Sequence, residues 1–346
     1  MNYYFPGPID TINIPHNTGL CKYSVNSGEN AIRLVLKSFN LSVNAKVAIP
    51  LFVCDSLKTA VVKEKLQPVY LDIKDNTYWT NYDLNLLKQQ QVAVVILVHL
   101  YGFIHPDTNL ISEYCKQNGV FLIHDMAQCY GADESQLDFG SVVYSFGPGK
   151  STTAAGGGLI RAIDDDFYKN HIQSPSIWSG VKAKLFLKSR ICGYKFSGSD
   201  KLVQGISNRI PASAKIESMS SIQKDAAEYV MNLVKKRSAE RKERYNILKE
   251  VVGNNLYLSI AYDDCKGLYF KSILYVKEDV IGFKKYLAEN NVPYYCLFDS
   301  ITIGLNETAD KPYFIINAQR FIELSTEASV PLPEIKRVGE ILSKFS

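Results

Sequence analysis

Hydrophobic and polar positions follow two rhythms along this chain. Short, nearly unbroken Val/Ile/Leu runs occupy residues 47–50, 68–73, 92–100, 120–124, 142–146 and 158–162. Runs of that length with little polar interruption suit strands covered on both faces. Between them, residues 31–39, 55–65, 83–90 and 108–117 carry apolar side chains at helical spacing. Strands alternating with helices over short connections predict an α/β fold, a doubly wound and mostly parallel sheet. In such sheets ligands collect outside the carboxyl ends of the strands.

The second half changes rhythm. Residues 163–215 predict only surface helices and loops. From 218 to 252, Met219, Ile222, Ala226, Val230, Leu233 and Val234 keep a 3.6-residue period, which predicts one long helix. Its KKRSAERKER run mixes acids with bases, so it reads as a solvated face and not as a nucleic-acid patch. Gly253-Asn254-Asn255 supplies a stop. Beyond it the pattern becomes α+β: strands at 269–276 and 292–298, helices at 280–290, 318–324 and 333–344. The expected division is a large domain over 1–245 and a smaller C-terminal α+β domain over 246–346.

Composition narrows the class without choosing a function. The 346 residues are 46% hydrophobic and 21% charged, with a net charge of +4. That balance supports a sizeable core and does not repel an anionic substrate, but it is too mild to argue for nucleic acid. No apolar run approaches the ~18 residues that cross a bilayer, and the opening MNYYFPGPID lacks the order of a secretory signal. The seven cysteines are scattered with no C-x-x-C, so free thiols in a reducing cytoplasm are expected. The five histidines form no metal-ligand spacing, and no metal is expected.

The candidate chemistry sits at strand ends. The run 120–124 ends in Asp125, Gln128 follows three residues on, and 142–146 leads into Gly147-Pro148-Gly149-Lys150. Asp125 and Lys150 are 25 residues apart, and an α/β sheet would bring both to one carboxyl-end rim. A carboxylate that keeps a pyridine nitrogen protonated, facing a lysine that can form an imine, is the pair required by pyridoxal 5′-phosphate (PLP). Spacing alone also allows a helix-capping Asp and a surface Lys. Gln128 adds an amide that can reach the cofactor's phenolic oxygen. Asn26-Ser27-Gly28-Glu29-Asn30-Ala31 opens the first helix, either as a phosphate site of backbone N–H groups or as a plain cap on Ser27 or Asn30. Ser145 is a second phosphate donor. His124 reads as a satisfied strand-end histidine, and His99 as either that or a ring-side contact. GPGKST mimics the end of a P-loop, but Tyr144 stands where its first glycine belongs, and three glycines follow where a helix should open. Neither G-x-S-x-G nor G-x-G-x-x-G occurs.

Taken in order, these segments resemble the DegT-type sugar aminotransferases, a PLP-dependent family of fold type I. The likeness rests on SGENAI at 27–32, VAIP at 47–50, PVYLDI at 68–73, VHLYG at 98–102, IHDMAQCYGA at 123–132 and YSFGPGK at 144–150. SMSSIQ at 218–223 resembles the start of the family's long helix, and ELSTEASVPLP at 323–333 its last strand. The resemblance implies an aspartate-aminotransferase-like large domain and a homodimer with active sites at the interface. It further implies conversion of a nucleotide-linked keto sugar to an amino sugar, with glutamate as donor, in surface-polysaccharide or lipopolysaccharide supply. Lys150 would hold the cofactor as an imine and then shuttle the proton. Asp125 would pair with the pyridine nitrogen, Gln128 would sit near the phenolic oxygen, and Ser145 with the backbone of Gly28 and Glu29 would hold the phosphate. Departures accompany the match. Cys54 stands where many members place an aromatic ring over the cofactor, with Phe52 as its rival. Ile216 and Ser218 replace the Asn and Arg that reach the neighbouring subunit's phosphate, leaving Lys215 or Arg209 to supply that clamp. The dehydratase branch carries His at the lysine position, which Lys150 argues against.

Overall fold

The computed structural model describes residues 23–195, 215–262, 266–301, 308, 310–327 and 329–345, with the backbone alone at 188–195. Among these, β1 (Ser24–Val25), β2 (Lys46–Pro50), β3 (Gln67–Leu71), β4 (Val94–Val98), β5 (Phe121–Asp125), β6 (Ser141–Ser145) and β7 (Gly158–Arg161) form one sheet. Its order is β1-β7-β6-β5-β4-β2-β3. Strands β3, β2, β4, β5 and β6 run parallel, and β7 and β1 join antiparallel at one edge. All five side chains of β4 and of β6 are buried, the burial expected where both faces are covered.

The pleat sorts the core into two layers. On one face Val47, Ile49, Ile96 and Ile123 pack with Leu34 and Val35 of α1 (Gly28–Ser38) and Leu57 and Val61 of α2 (Ser56–Lys63). On the other, Val95, Leu97 and Leu122 meet Leu87 of α3 (Leu84–Gln89) and Ile111 and Cys115 of α4 (Thr108–Asn118). Helices on both faces complete the doubly wound architecture that the hydrophobic rhythm predicts. The long stretch after β7 carries α5 (Asp165–His171) and α6 (Ile177–Lys195).

The single helix expected over 218–252 is two. A Ser220/Gln223 capping box starts α7 (Ser221–Asn232), and α8 (Val234–Val252) follows after Leu233. The Leu233 N–H bonds to Val230 O at 3.2 Å, a tightened turn that ends one helix without breaking the apolar stripe. Residue 245, where the sequence reading divides the chain, lies inside α8. The C-terminal sheet runs β10-β9-β8, all antiparallel, from β8 (Leu258–Ile260), β9 (Lys271–Val276) and β10 (Phe321–Ser325). Leu248 and Val252 of α8 back it, with Phe283 and Leu287 of α9 (Val280–Glu289). The short α10 (Pro312–Asn317) precedes β10, and α11 (Leu332–Ser343) closes the layer with Ile335, Val338 and Leu342.

Two expected elements are corrected here. Residues 292–298 form no strand: Tyr295 makes one bridge to Glu323, and a 3₁₀ turn begins at Leu297. Residues 318–324 form no α-helix: a 3₁₀ turn over Ala318–Arg320 leads into β10, whose edge pairs with β9. No helix among the described residues is long and apolar enough to cross a membrane.

Candidate active site

The parallel strands deliver their ends to one rim. Asp125 closes β5 in register with Val98 of β4 and Val143 of β6. Period-2 alternation puts Asp125 on the face of Ile123, and Ser145 on that of Val143, which is the α1 face. Asp125 is buried, and its Oδ1 accepts the Ala127 N–H at 3.0 Å. Its other oxygen receives no hydrogen bond from the described residues. Burial raises the Asp125 carboxyl above its ordinary range, while the Lys150 ammonium and the Ala127 N–H pull it back. The sequence pair Asp125 and Lys150 is therefore an electrostatic pair in space.

Lys150 sits in a turn. Gly149 takes φ +74°, a left-handed conformation open to glycine. Thr153 fastens the turn: its Oγ1 accepts the Lys150 N–H at 2.9 Å and donates to Lys150 O at 2.7 Å. The Lys150 side chain is half-buried, and its ammonium makes no hydrogen bond or ion pair with the described residues. No helix opens at Lys150, which removes the P-loop geometry.

Opposite the lysine lies a cradle. Ser27 is the N-cap of α1, its Oγ accepting the Asn30 N–H at 3.1 Å, so the capping reading of this segment holds. The first intrahelical bond is Ala31 N to Ser27 O, which leaves the Gly28 and Glu29 N–H groups ahead of the ladder. The Glu29 side chain turns to Lys63 Nζ at 2.7 Å. A Cβ on Gly28 would meet Ser145 Cβ and Oγ at 2.7 Å, so only glycine lets helix and hydroxyl come this close. Gly28→Ala is expected to weaken cofactor binding about tenfold and to cost about 1–3 kcal/mol of stability by overpacking. Cofactor titration and thermal melting check both, and an unchanged affinity would remove Gly28 from the phosphate site.

Gln128 Oε1 accepts the Tyr101 N–H at 2.7 Å. That backbone donor fixes the amide orientation and leaves the NH₂ group without a hydrogen-bond partner among the described residues. Tyr101 was not singled out by sequence; its left-handed φ of +58° directs the N–H to Gln128, and VHLYG was the available signal. Thr153 was likewise missed, though a Ser/Thr run after the lysine advertised it.

His99 is not a ring-side contact. Its Nδ1 accepts the His105 N–H at 3.0 Å, so Nε2 carries the proton and donates to His124 Nδ1 at 3.2 Å. His124 Nε2 in turn donates to Phe139 O at 2.9 Å. The stacked rings lie on the sheet face opposite Asp125, because His124 precedes it in the pleat. Burial pushes His99 well below the usual imidazole range and holds His105 and His124 down at about 4. Unfolded histidines titrate near ~6.5, so the stability that neutral burial preserves is complete above that pH. It is lost as pH falls from there towards about 4. The urea midpoint of cofactor-free protein should therefore drop between about pH 7 and about pH 5. A flat midpoint would contradict this assignment.

The ring-face rivals separate by burial. Phe52 is enclosed against Phe321, with ring centroids 5.7 Å apart, and cannot reach a ligand. Cys54 remains partly exposed, its Sγ 3.0 Å from Ser56 Oγ. Ile216 is buried in the core and the Ser218 N–H bonds Gln173 O at 2.8 Å, so neither side chain makes a charged clamp. Lys215 is exposed, and its carbonyl receives Asn30 Nδ2 at 3.4 Å. Arg209 lies outside the described residues.

The chain is similar to known aminotransferases in sequence and in fold. Residues 21–201 match the model of the DegT/DnrJ/EryC1/StrS aminotransferase family. A UDP-N-acetyl-3-dehydro-alpha-D-glucosamine 3-aminotransferase of Acidithiobacillus ferrooxidans is 30% identical over 40% of this chain and 39% of its own length. A dTDP-3-amino-3,4,6-trideoxy-alpha-D-glucose transaminase of Micromonospora megalomicea is 28% identical over 41% of this chain and 39% of its own. The matches thus span about two fifths of these curated relatives. The crystal structure of NtdA from Bacillus subtilis with bound cofactor PMP superposes with a TM-score of 0.70 at 17% identity, covering 92% of this chain and 72% of that one.

Proposed function

Because the chain belongs to the DegT/DnrJ/EryC1/StrS aminotransferase family, we propose that it moves an amino group from glutamate to a keto sugar carried on a nucleotide. The family's cofactor is PLP. The rim residues fit that group: a carboxylate oxygen of buried Asp125 that accepts no hydrogen bond from the described residues, a Gln128 NH₂ and a Lys150 amine likewise without hydrogen-bond partners among them, and the Gly28/Ser145 cradle. The observation that carries the reading is the placement of Asp125 at the end of β5 and of Lys150 in the turn after the neighbouring parallel strand β6, on one sheet rim.

In this reading each residue has a defined task. Ser145 Oγ and the Gly28 and Glu29 N–H groups hold the phosphate against the α1 N-terminus. Asp125 binds the pyridine nitrogen and keeps it charged, Gln128 donates to the phenolic oxygen, and Cys54 packs on the ring. Bound there, PLP supplies an electron sink for a carbanion at the donor α-carbon. Lys150 would anchor the cofactor through its amine and, once displaced, would take the proton from the donor α-carbon and deliver it to the cofactor's former aldehyde carbon.

The sugar-nucleotide part is supported by the UDP- and dTDP-linked sugars in the relatives' names and by a net charge of +4. A homodimer in the cytoplasm, with Lys215 or Arg209 lending charge across the interface, completes the proposal. The test is a visible spectrum of the purified protein with PLP, followed by glutamate and a panel of keto-sugar nucleotides, scored for 2-oxoglutarate and amino sugar. Turnover of non-sugar ketones alone would retain the cofactor and remove the sugar. A colourless protein would remove both.

A further inference from the structure

Among the described residues Arg241 is the bulkiest side chain that the fold encloses, and nothing in the proposed cofactor site calls for it. It stands in α8, the helix on which the C-terminal sheet is built. Its Nη2 donates to Ser151 O at 2.7 Å and to Glu327 Oε1 at 2.8 Å. Ser151 is the residue after Lys150. Glu327 is buried in the segment that leaves β10. The guanidinium also lies over the Phe270 ring, 5.4 Å from its centroid.

A buried ion pair is an expensive fastening, because both charges lose water and an apolar pair of the same size often packs as well. An apolar pair could not bond a carbonyl, however. Ser151 is almost wholly enclosed, and a carbonyl buried there without a donor would itself be costly. The turn does not hold itself at this end, since Ser151 Oγ and Thr152 Oγ1 are buried without partners. Thr153 fixes the Lys150 peptide on one side, and Arg241 fixes the next peptide on the other.

We propose that Arg241, held by Glu327, is a positioning residue that sets where the Lys150 amine reaches and ties that placement to the C-terminal sheet. The inference rests on the aminotransferase reading, in which Lys150 must meet both cofactor and donor carbon. Small misplacements of such a group cost on the order of 100-fold in rate.

The test compares Glu327→Gln, Arg241→Met and the double variant with wild type as PLP-loaded protein. Melting temperature, the pH midpoint of the lysine-bound cofactor band, kcat, and KM for glutamate are measured on each. Arg241→Met is expected to lower kcat roughly 10- to 100-fold with KM changed less than about twofold, and to move the band's pH midpoint. It should also melt early, because the Glu327 carboxylate and the Ser151 carbonyl lose the buried donor they share, with Arg237 left as the cation beside Glu327. The double variant should recover part of the lost melting temperature, since the carboxylate is gone while the Ser151 carbonyl still lacks its donor, but keep the low kcat and the moved midpoint. Should Arg241→Met not fold, the double variant and Glu327→Gln carry the comparison. A double variant that regains wild-type kcat and midpoint along with its stability would make Arg241 a structural residue and end the proposal. A wild type with no lysine-bound band would instead overturn the aminotransferase reading, and this inference with it.

Discussion

Lys150→Ala is expected to erase the visible band of lysine-bound cofactor and to lower amino transfer by at least about 10³-fold. The size follows from the two tasks that the proposed function gives to one amine, covalent anchor and proton carrier, for which the described residues offer no substitute at that position. The fold should survive. The Lys150 side chain is half-buried and makes no hydrogen bond or ion pair with the described residues, while the turn is held through its backbone by Thr153 and Arg241. Melting of the variant should therefore stay close to wild type, so the loss can be read as chemistry. Asp125 provides an independent check. Lys150 opposes the upward push of burial on that carboxyl, so its removal should raise the Asp125 pKa further. Activity that persists with alanine at 150 would end the mechanism.

The rim was legible because strand ends in a parallel sheet are set by local pattern. The apolar runs that became β4, β5 and β6 end where the polar chemistry begins, so Asp125, Ser145 and Lys150 could be placed together from spacing. What escaped was decided by partners distant in sequence. Tyr101 N meets Gln128 across 27 residues, and no local rhythm announces that contact. Residues 318–324 were expected to be helical, whereas in β10 the Glu323 carboxylate is buried, taking the Tyr101 hydroxyl at 2.8 Å and an ion pair with Lys271. His99 was ambiguous for the same reason. Its fate depended on His105 and His124, which only the folded sheet brings to it. The break at Leu233 left no trace, because a tightened turn preserves the apolar spacing on both sides.

Asp125→Asn should separate what stabilises the empty fold from what runs the reaction. Burial is the largest influence on this carboxyl and raises its pKa, so the ionised form is a cost to the cofactor-free protein. That cost is complete above the raised native pKa, and it is relieved as pH falls through that value towards the unfolded value near ~3.9. Asparagine has nearly the same shape, keeps an acceptor for the Ala127 N–H, and stays neutral at every pH. Cofactor-free Asp125→Asn should therefore melt higher than wild type at neutral pH, with the gain shrinking in acid, where the native carboxyl also becomes neutral. The loaded enzyme should go the other way. A neutral amide cannot keep the pyridine nitrogen charged, so amino transfer should fall roughly 10²- to 10³-fold, while phosphate contacts through Ser145 and the α1 N-terminus retain the cofactor. Spectral titration, melting curves across pH and turnover assays separate these outcomes. A variant with wild-type turnover would show that the carboxylate does not serve the ring nitrogen. A variant without the neutral-pH stability gain would show that Lys150 already offsets its burial.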